Sequence, residues 1–400
     1  MTDLMNGFPP SPQGQVTLAN WRAAPFNRWA FQHVREIVPS ADIPHDPARA
    51  LPLPTAVMDT GSLRIPDPQG GSITLDAFLQ RANTDALVVL RDGRIVIERY
   101  ANGMGPRTPH ILMSVSKSLL GLLTGIVVAQ DKIDPDQLVT DVVPELVGTA
   151  YEGAKVRHLL DMRTGVAFDE DYLATSGPIV EYRKSTNWNP LGSGELPSDL
   201  RSFYQSLRTS DGHHGGRFHY VSPNTDLLGW VVERASDQRF ADMMSNCLWK
   251  LMGAECSAYV TVDRLGAPRC AGGICATARD LARVGQLLVD GGVCAGTQII
   301  PPHWIDDITL SGSQDAWADG VFAPLFPGRK MHYRNKWYVD VDEAPLLFGL
   351  GIHGQSLFVD RRSRIVVAIM SSQALPLDPA MISLTMSAVA EVRSALAVFG

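Results

Sequence analysis

Ser114 and Lys117 stand three residues apart in Ser114-Val115-Ser116-Lys117, a spacing that puts both side chains on one face of a helix. A serine hydroxyl is a poor nucleophile without a base beside it. A lysine in an apolar wall loses proton affinity, because burial disfavours the charged ammonium. A neutral Lys117 is then able to accept the Ser114 proton. At the first turn of a helix the nucleophile also gains a partial positive field and, from its own backbone N–H, one donor for an oxyanion. The spacing alone is common, since a chain of this size carries an SxxK match at roughly even odds. What lifts it is that the chain has seven lysines, and the single one with serine three positions before it opens the most apolar helix.

Tyr220 lies in Phe218-His219-Tyr220-Val221-Ser222-Pro223-Asn224, ahead of a helix predicted to start near Asn224 and to carry Leu227, Leu228, Val231 and Val232. A phenol beside a lysine ammonium would have a lowered pKa and relay protons to a leaving group. From spacing alone, a packed tyrosine with a satisfied hydroxyl is the simpler reading. The sequence contains neither GxSxG nor HExxH. The adjacent His213 and His214 sit in a glycine-flanked loop and point apart, so no metal is expected.

The elements that must position these groups are partly readable. Ala86 to Leu90 and Arg94 to Tyr100 are β-rich runs around Asp92-Gly93, the favoured chemistry of a tight hairpin. Ser356 to Asp360 and Ile365 to Met370 repeat the pattern. The helix carrying Ser114 runs from about Met113 to Asp131 and is apolar nearly all round, as a central, buried helix is. Thr277 caps a helix with Asp280 in its first turn, Leu281, Val284 and Leu288 on one face, and Gly291 at its end. Ile382, Met386, Val389, Leu396 and Phe399 recur at helical spacing. Strands at both ends of the chain predict one discontinuous α/β domain, 71–139 with 276–400, and a mostly helical domain over 140–275. Residues 1–70, rich in proline, read as an irregular segment ordered only by packing.

At 400 residues, with 45% apolar and 19% charged side chains, the chain can bury a sizeable core. A net charge of −7 argues against nucleic acid and for a small neutral or cationic substrate. Cys247, Cys256, Cys270, Cys275 and Cys294 have no CxxC spacing and read as buried thiols in a reducing compartment. The first twenty residues do not resemble a secretory signal, and the most apolar stretch, Leu119 to Ala129, is too short to span a membrane. A cytoplasmic protein is expected.

Taken together, Ser114-x-x-Lys117, Tyr220-x-Ser222 and Gly349-Leu350-Gly351-Ile352-His353-Gly354-Gln355 resemble, in order and separation, the three motifs of serine hydrolases with the β-lactamase fold. Phe168 to Tyr172, Tyr220 to Asp226, Gly272-Gly273 through Thr277 to Gly285, and Gly349 to Gln355 are similar to the nylon-oligomer (6-aminohexanoate-dimer) hydrolases and related esterases of class C β-lactamase architecture. The likeness runs from about residue 85 onward. It implies an α/β plus all-α fold, an antiparallel sheet flanked by helices with an inserted helical domain. It also implies an acyl-enzyme on Ser114, Lys117 as proton acceptor, Tyr220 as acid and base, and an oxyanion hole from the N–H groups of Ser114 and Ile352. The expected substrate is a small linear amide or ester, with Tyr172, His353 and Trp337 as candidate contacts, and the chemistry needs no cofactor. A homodimer is expected from the resemblance alone.

Three departures bear on the substrate. Gly349 stands where β-lactamases carry a lysine or histidine, and Ser222 where they carry asparagine, so efficient β-lactam hydrolysis is not expected. Where the oligomer hydrolases hold a substrate ammonium with an aspartate, this chain has Arg183, with Glu181 two positions earlier. Either Glu181 shifts into that role or the substrate differs. A short-chain carboxylesterase, or a sensor that acylates without turnover, stand as alternatives.

Overall fold

In the computed structural model, which describes residues 4–342 and 344–397, the Asp92-Gly93 turn has positive φ at both residues, +49° and +73°, and joins the strands Thr84–Arg91 and Arg94–Tyr100. That backbone matches the right-handed twist of the flanking strands. Gln355–Asp360 and Ile365–Ser371 form the second hairpin, and Ile365–Ser371 pairs antiparallel with Thr84–Arg91, Leu90 opposite Val366. The two ends of the chain therefore close into one seven-stranded sheet, completed by Leu346–Gly351, Trp337–Asp340 and Met331–Arg334. Alternation along the strands sorts the side chains. Val88, Leu90, Val366 and Ala368 face the helix Ala278–Val289 in one core, while Leu87, Val89, Val367 and Ile369 share the other with the helix Pro379–Ala397. Thr277 caps its helix as expected, accepting from the Asp280 N–H at 3.1 Å.

The central helix runs over Val115–Val128, and every residue from Val115 to Val127 is buried. Its two glycines are points of contact: a Cβ on Gly121 would lie 2.1 Å from the Asn335 carbonyl oxygen, and one on Gly125 2.4 Å from the Trp304 ring. The helix Pro223–Ser236 packs against it and brings Ser222 and Asp226 to the same end.

Two expectations need correction, on the first seventy residues and on the cysteines, and two others gain detail. The first seventy residues are held by main-chain pairing and not by packing alone. Ser40–Ile43 pairs with Ala258–Thr261, Arg64–Pro66 pairs with Ser72–Thr74, and the Ala56 and Met58 N–H groups donate to Ile95 and Val96. The stretch 140–275, expected to be mostly helical, also carries two short strands. Ala258–Thr261 and Ile274–Ala276 join Ser40–Ile43 and His110–Ile111 in a small four-stranded sheet, which draws on three separate stretches of chain. Of the cysteines, Cys270 and Cys275 are buried, whereas Cys247, Cys256 and Cys294 are half-buried; all five are free. Finally, Pro379–Ala397, not the central helix, is long and apolar enough to cross a membrane by length and composition. Here its apolar side, Leu384, Met386, Val389, Val392 and Leu396, covers the sheet. Phe399 lies outside the described residues.

Candidate active site

The cleft is built around Ser114, which caps the central helix. Met113 before it is held at φ +44°, a left-handed conformation uncommon for a long side chain, and this turns the chain from Ile111 into the helix. Lys117, 1% exposed, donates through Nζ to Ser114 Oγ at 2.8 Å and to the Ala271 carbonyl at 2.7 Å. Burial pulls the ammonium pKa from 10.5 down to about 7; Glu170 and Asp226 oppose that shift and Arg269 adds to it. The Ala271 carbonyl is itself fixed, because the Ala271 N–H donates to Asp226 Oδ1 at 2.7 Å. The other Asp226 oxygen takes Arg269 and the Tyr182 hydroxyl in a fully buried cluster.

Tyr220 stands over the lysine, its ring centroid 4.9 Å from Lys117 Nζ, and stacks on Phe322 at 4.8 Å. Its hydroxyl does not have the lowered pKa the sequence suggests. Burial drives it up, and the polar contacts with Ser114 and Tyr338 only partly offset that. The two findings agree physically, since burial opposes the charged form of both groups, the ammonium and the phenolate.

The strand Leu346–Gly351 passes the helix N-terminus at close range. A Cβ on Gly351 would sit 2.9 Å from the Ser114 nitrogen and 2.8 Å from the Leu112 carbonyl oxygen. Glycine therefore keeps clear the space in front of the Ser114 N–H, and Ile352 follows it at the mouth of the cleft. At Gly349 a Cβ would come within 2.6 Å of Ser118 Oγ, so a longer side chain there needs Ser118 to move.

Two arms of the cleft leave Ser114. Tyr172 and Ile352 line both. The larger arm holds Tyr220, Phe322, Phe326, Tyr338, Met381 and Ile382, and the smaller holds Arg22, Glu170, Arg183, Trp188, Ser222 and Arg269. Arg183 thus reaches the cleft, with its guanidinium donating to the carbonyls of Tyr172 (2.9 Å) and Ala174 (3.2 Å). Glu181 does not. It lies exposed on the helix Pro178–Ser185 and pairs with Lys184 at 3.0 Å, because residues two apart on a helix lie about 200° round its axis, on nearly opposite faces. His353 is a framework residue: at φ +62° its ring packs on Phe31 and its Nδ1 meets the Gln373 carbonyl at 2.7 Å. Burial holds the His353 pKa down, at about 4. Trp337 is wholly buried on the other face of the sheet, and its strand neighbour Tyr338 lines the cleft in its place.

Three cleft residues escape sequence reasoning. Glu170 accepts from the Ser222 N–H at 2.8 Å and from the Ser222 hydroxyl, so the acidic run 169–171 is not simply a solvated loop. The signal was Ser222 itself, a hydroxyl at a helix start in need of an acceptor. Arg22 and Arg269 come from distant stretches, and no spacing marks them.

The β-lactamase family model matches residues 74–388, and the chain belongs to that family. It is a serine hydrolase of the β-lactamase fold. Among its relatives, the 6-aminohexanoate-dimer hydrolase of Paenarthrobacter ureafaciens is 37% identical over 366 residues, which cover 91% of this chain and 90% of that protein. A Bacillus anthracis structure assigned by name to the 6-aminohexanoate-dimer hydrolases superposes with a TM-score of 0.88 at 26% identity, over 97% of this chain and 98% of that one. The acyltransferring hydrolase EstCE1 shares the fold alone, at a TM-score of 0.61 and 17% identity over 80% of this chain and 96% of its own.

Proposed function

We propose that the protein hydrolyses linear amides and esters through an acyl-enzyme on Ser114. The observation that carries this reading is the 2.8 Å contact between Ser114 Oγ and the buried Lys117 amine. Ser114 Oγ attacks the carbonyl carbon while its proton passes to Lys117. The oxyanion forms against the Ser114 and Ile352 N–H groups, in the space that Gly351 leaves open. Collapse breaks the C–N or C–O bond. Tyr220, protonated across the neutral range, gives its proton to the leaving amine or alcohol and regains one from the Lys117 ammonium. Water then attacks the acyl carbon by the reverse relay, releasing the acid and restoring Ser114. Tyr172, shared by both arms, lies where it can touch the scissile group. Five free cysteines support a cytoplasmic location as part of this reading.

The test compares wild type and Ser114→Ala on a short-chain nitrophenyl ester and on the linear 6-aminohexanoate dimer. Serine-dependent cleavage of either supports the assignment. Turnover retained in a folded Ser114→Ala protein overturns it. Cleavage of the ester alone makes the protein an esterase of this fold.

A further inference from the structure

The smaller arm carries a charge imbalance. Three guanidinium groups, Arg22, Arg183 and Arg269, line it. Asp226 neutralises Arg269, and Glu170 is the cleft carboxylate that acts on Arg183; Asp171 also acts on Arg183, from the exposed surface. Arg22 has no carboxylate partner among the described residues. It donates to the Asn189 side chain and lies 5.7 and 5.9 Å from the ring centroids of Trp21 and Trp188. Its Nε, and that of Arg269, are shut off from solvent without a hydrogen-bond partner. Burial, with Arg183 and Arg269 adding to it, pulls the Arg22 pKa down to about 9, as expected for a cation among cations. A half-buried guanidinium with no carboxylate beside it favours an anion that can reach it, and guanidinium is well shaped to take a carboxylate.

The two arms also differ in which half of a substrate they can hold. Tyr220, the proton donor to the leaving group, lines the larger arm and not the smaller one. The leaving alcohol or amine therefore belongs among Phe322, Phe326, Tyr338 and Met381. The one carboxylate there, Asp378, is occupied capping the last helix through the Ala380 and Met381 N–H groups. The acyl half is left to the arginine arm.

Resting on the acyl-enzyme reading above, we infer that the arm lined by Arg22, Arg183 and Arg269 receives a carboxylate at the far end of the acyl group. The preferred substrates are then half-esters or half-amides of linear dicarboxylic acids with an apolar leaving group. An acyl chain ending in an ammonium is disfavoured there.

The test uses the full-length protein and three nitrophenyl esters of matched length: mono-4-nitrophenyl adipate, its methyl-capped diester, and 4-nitrophenyl hexanoate. The expected kcat/KM for the free acid exceeds that for the methyl-capped ester by at least tenfold, and the ratio shrinks as salt rises. In Arg22→Gln the ratio falls toward one, while Arg22→Lys retains part of it. A wild-type ratio of one or below overturns the inference, and that measurement does not depend on any variant folding. A ratio that survives unchanged in folded Arg22→Gln overturns the role of Arg22. Failure of wild type to cleave any of the three in a Ser114-dependent way overturns the acyl-enzyme reading itself, and this outcome is distinct from cleavage without charge preference.

Discussion

The two arms of the cleft meet at one serine and are built on opposite principles. The larger is walled by a strand residue, Tyr338, and by Phe322, Phe326, Met381 and Ile382, whose packing also stabilises the fold. The smaller is walled by ions held in a web: Arg269 on Asp226, Glu170 on Ser222, Arg183 on main-chain carbonyls. Apolar walls tolerate substitution of similar volume, whereas a buried ion that loses its partner leaves an exposed liability. Specificity by charge therefore comes at a cost in stability on one side only.

The largest expected effect breaks the reaction shared by both arms. Lys117→Met should lower kcat by roughly 10³-fold or more on any substrate, because it removes the base from a nucleophile–base pair that acts as a unit. In wild type, kcat/KM should rise with pH through about 7, the value to which burial brings Lys117. The sign of the stability effect follows. The folded pKa lies below 10.5, so between about 7 and 10.5 the unfolded chain holds more protons and stability rises with pH; the penalty is fully present below about 7. Denaturant melts of wild type and Lys117→Met across pH 6–10 should therefore converge as pH increases, and a pH-independent difference would contradict the buried neutral amine.

Next in size is the ion web. Asp226→Asn leaves Arg269 without its anion and weakens the hold on Ala271, and should destabilise the fold by about 3–5 kcal/mol in denaturant titration. By contrast, Phe322→Leu, in the apolar arm, should cost less than about 1.5 kcal/mol. Equal costs would erase the contrast between the arms. Gly351→Ala probes the space at the Ser114 N–H. It should lower kcat by on the order of 10²-fold, the loss typical of one oxyanion donor, with a small change in KM. Smallest is Phe322→Ala, which removes the ring stacked on Tyr220. It should raise KM a few-fold for esters with apolar leaving groups, as one lost aromatic contact is worth about 1 kcal/mol.

The reaction centre was legible in the sequence and the arms were not, for a physical reason. Ser114 and Lys117 are tied by one helical turn, and the two hairpins by turn chemistry, so local spacing carries them. Tyr220 needed the resemblance, since a core tyrosine looks the same in sequence. Trp337 missed by one residue because a strand's alternation sends neighbours to opposite faces, and nothing in the sequence says which face meets the cleft. Arg22 lay in a stretch with no periodic pattern, read as wrapping, yet that stretch supplies both a strand and a cation. Charge pairing across such distances is a tertiary property.

The closing of the large sheet by Ile365–Ser371 against Thr84–Arg91 has a consequence for synthesis. The hairpin that starts the sheet leaves the ribosome well before the closing strand and presents an open edge, a template for unwanted pairing, until that strand has emerged. The third motif, with Gly351 and Ile352, precedes that closing strand, so the nascent chain holds every reacting group before it holds the frame that aligns them. Activity should then appear abruptly once Ile365–Ser371 has emerged, and shortening the chain to before Ile365 should yield aggregate and not a weakened enzyme.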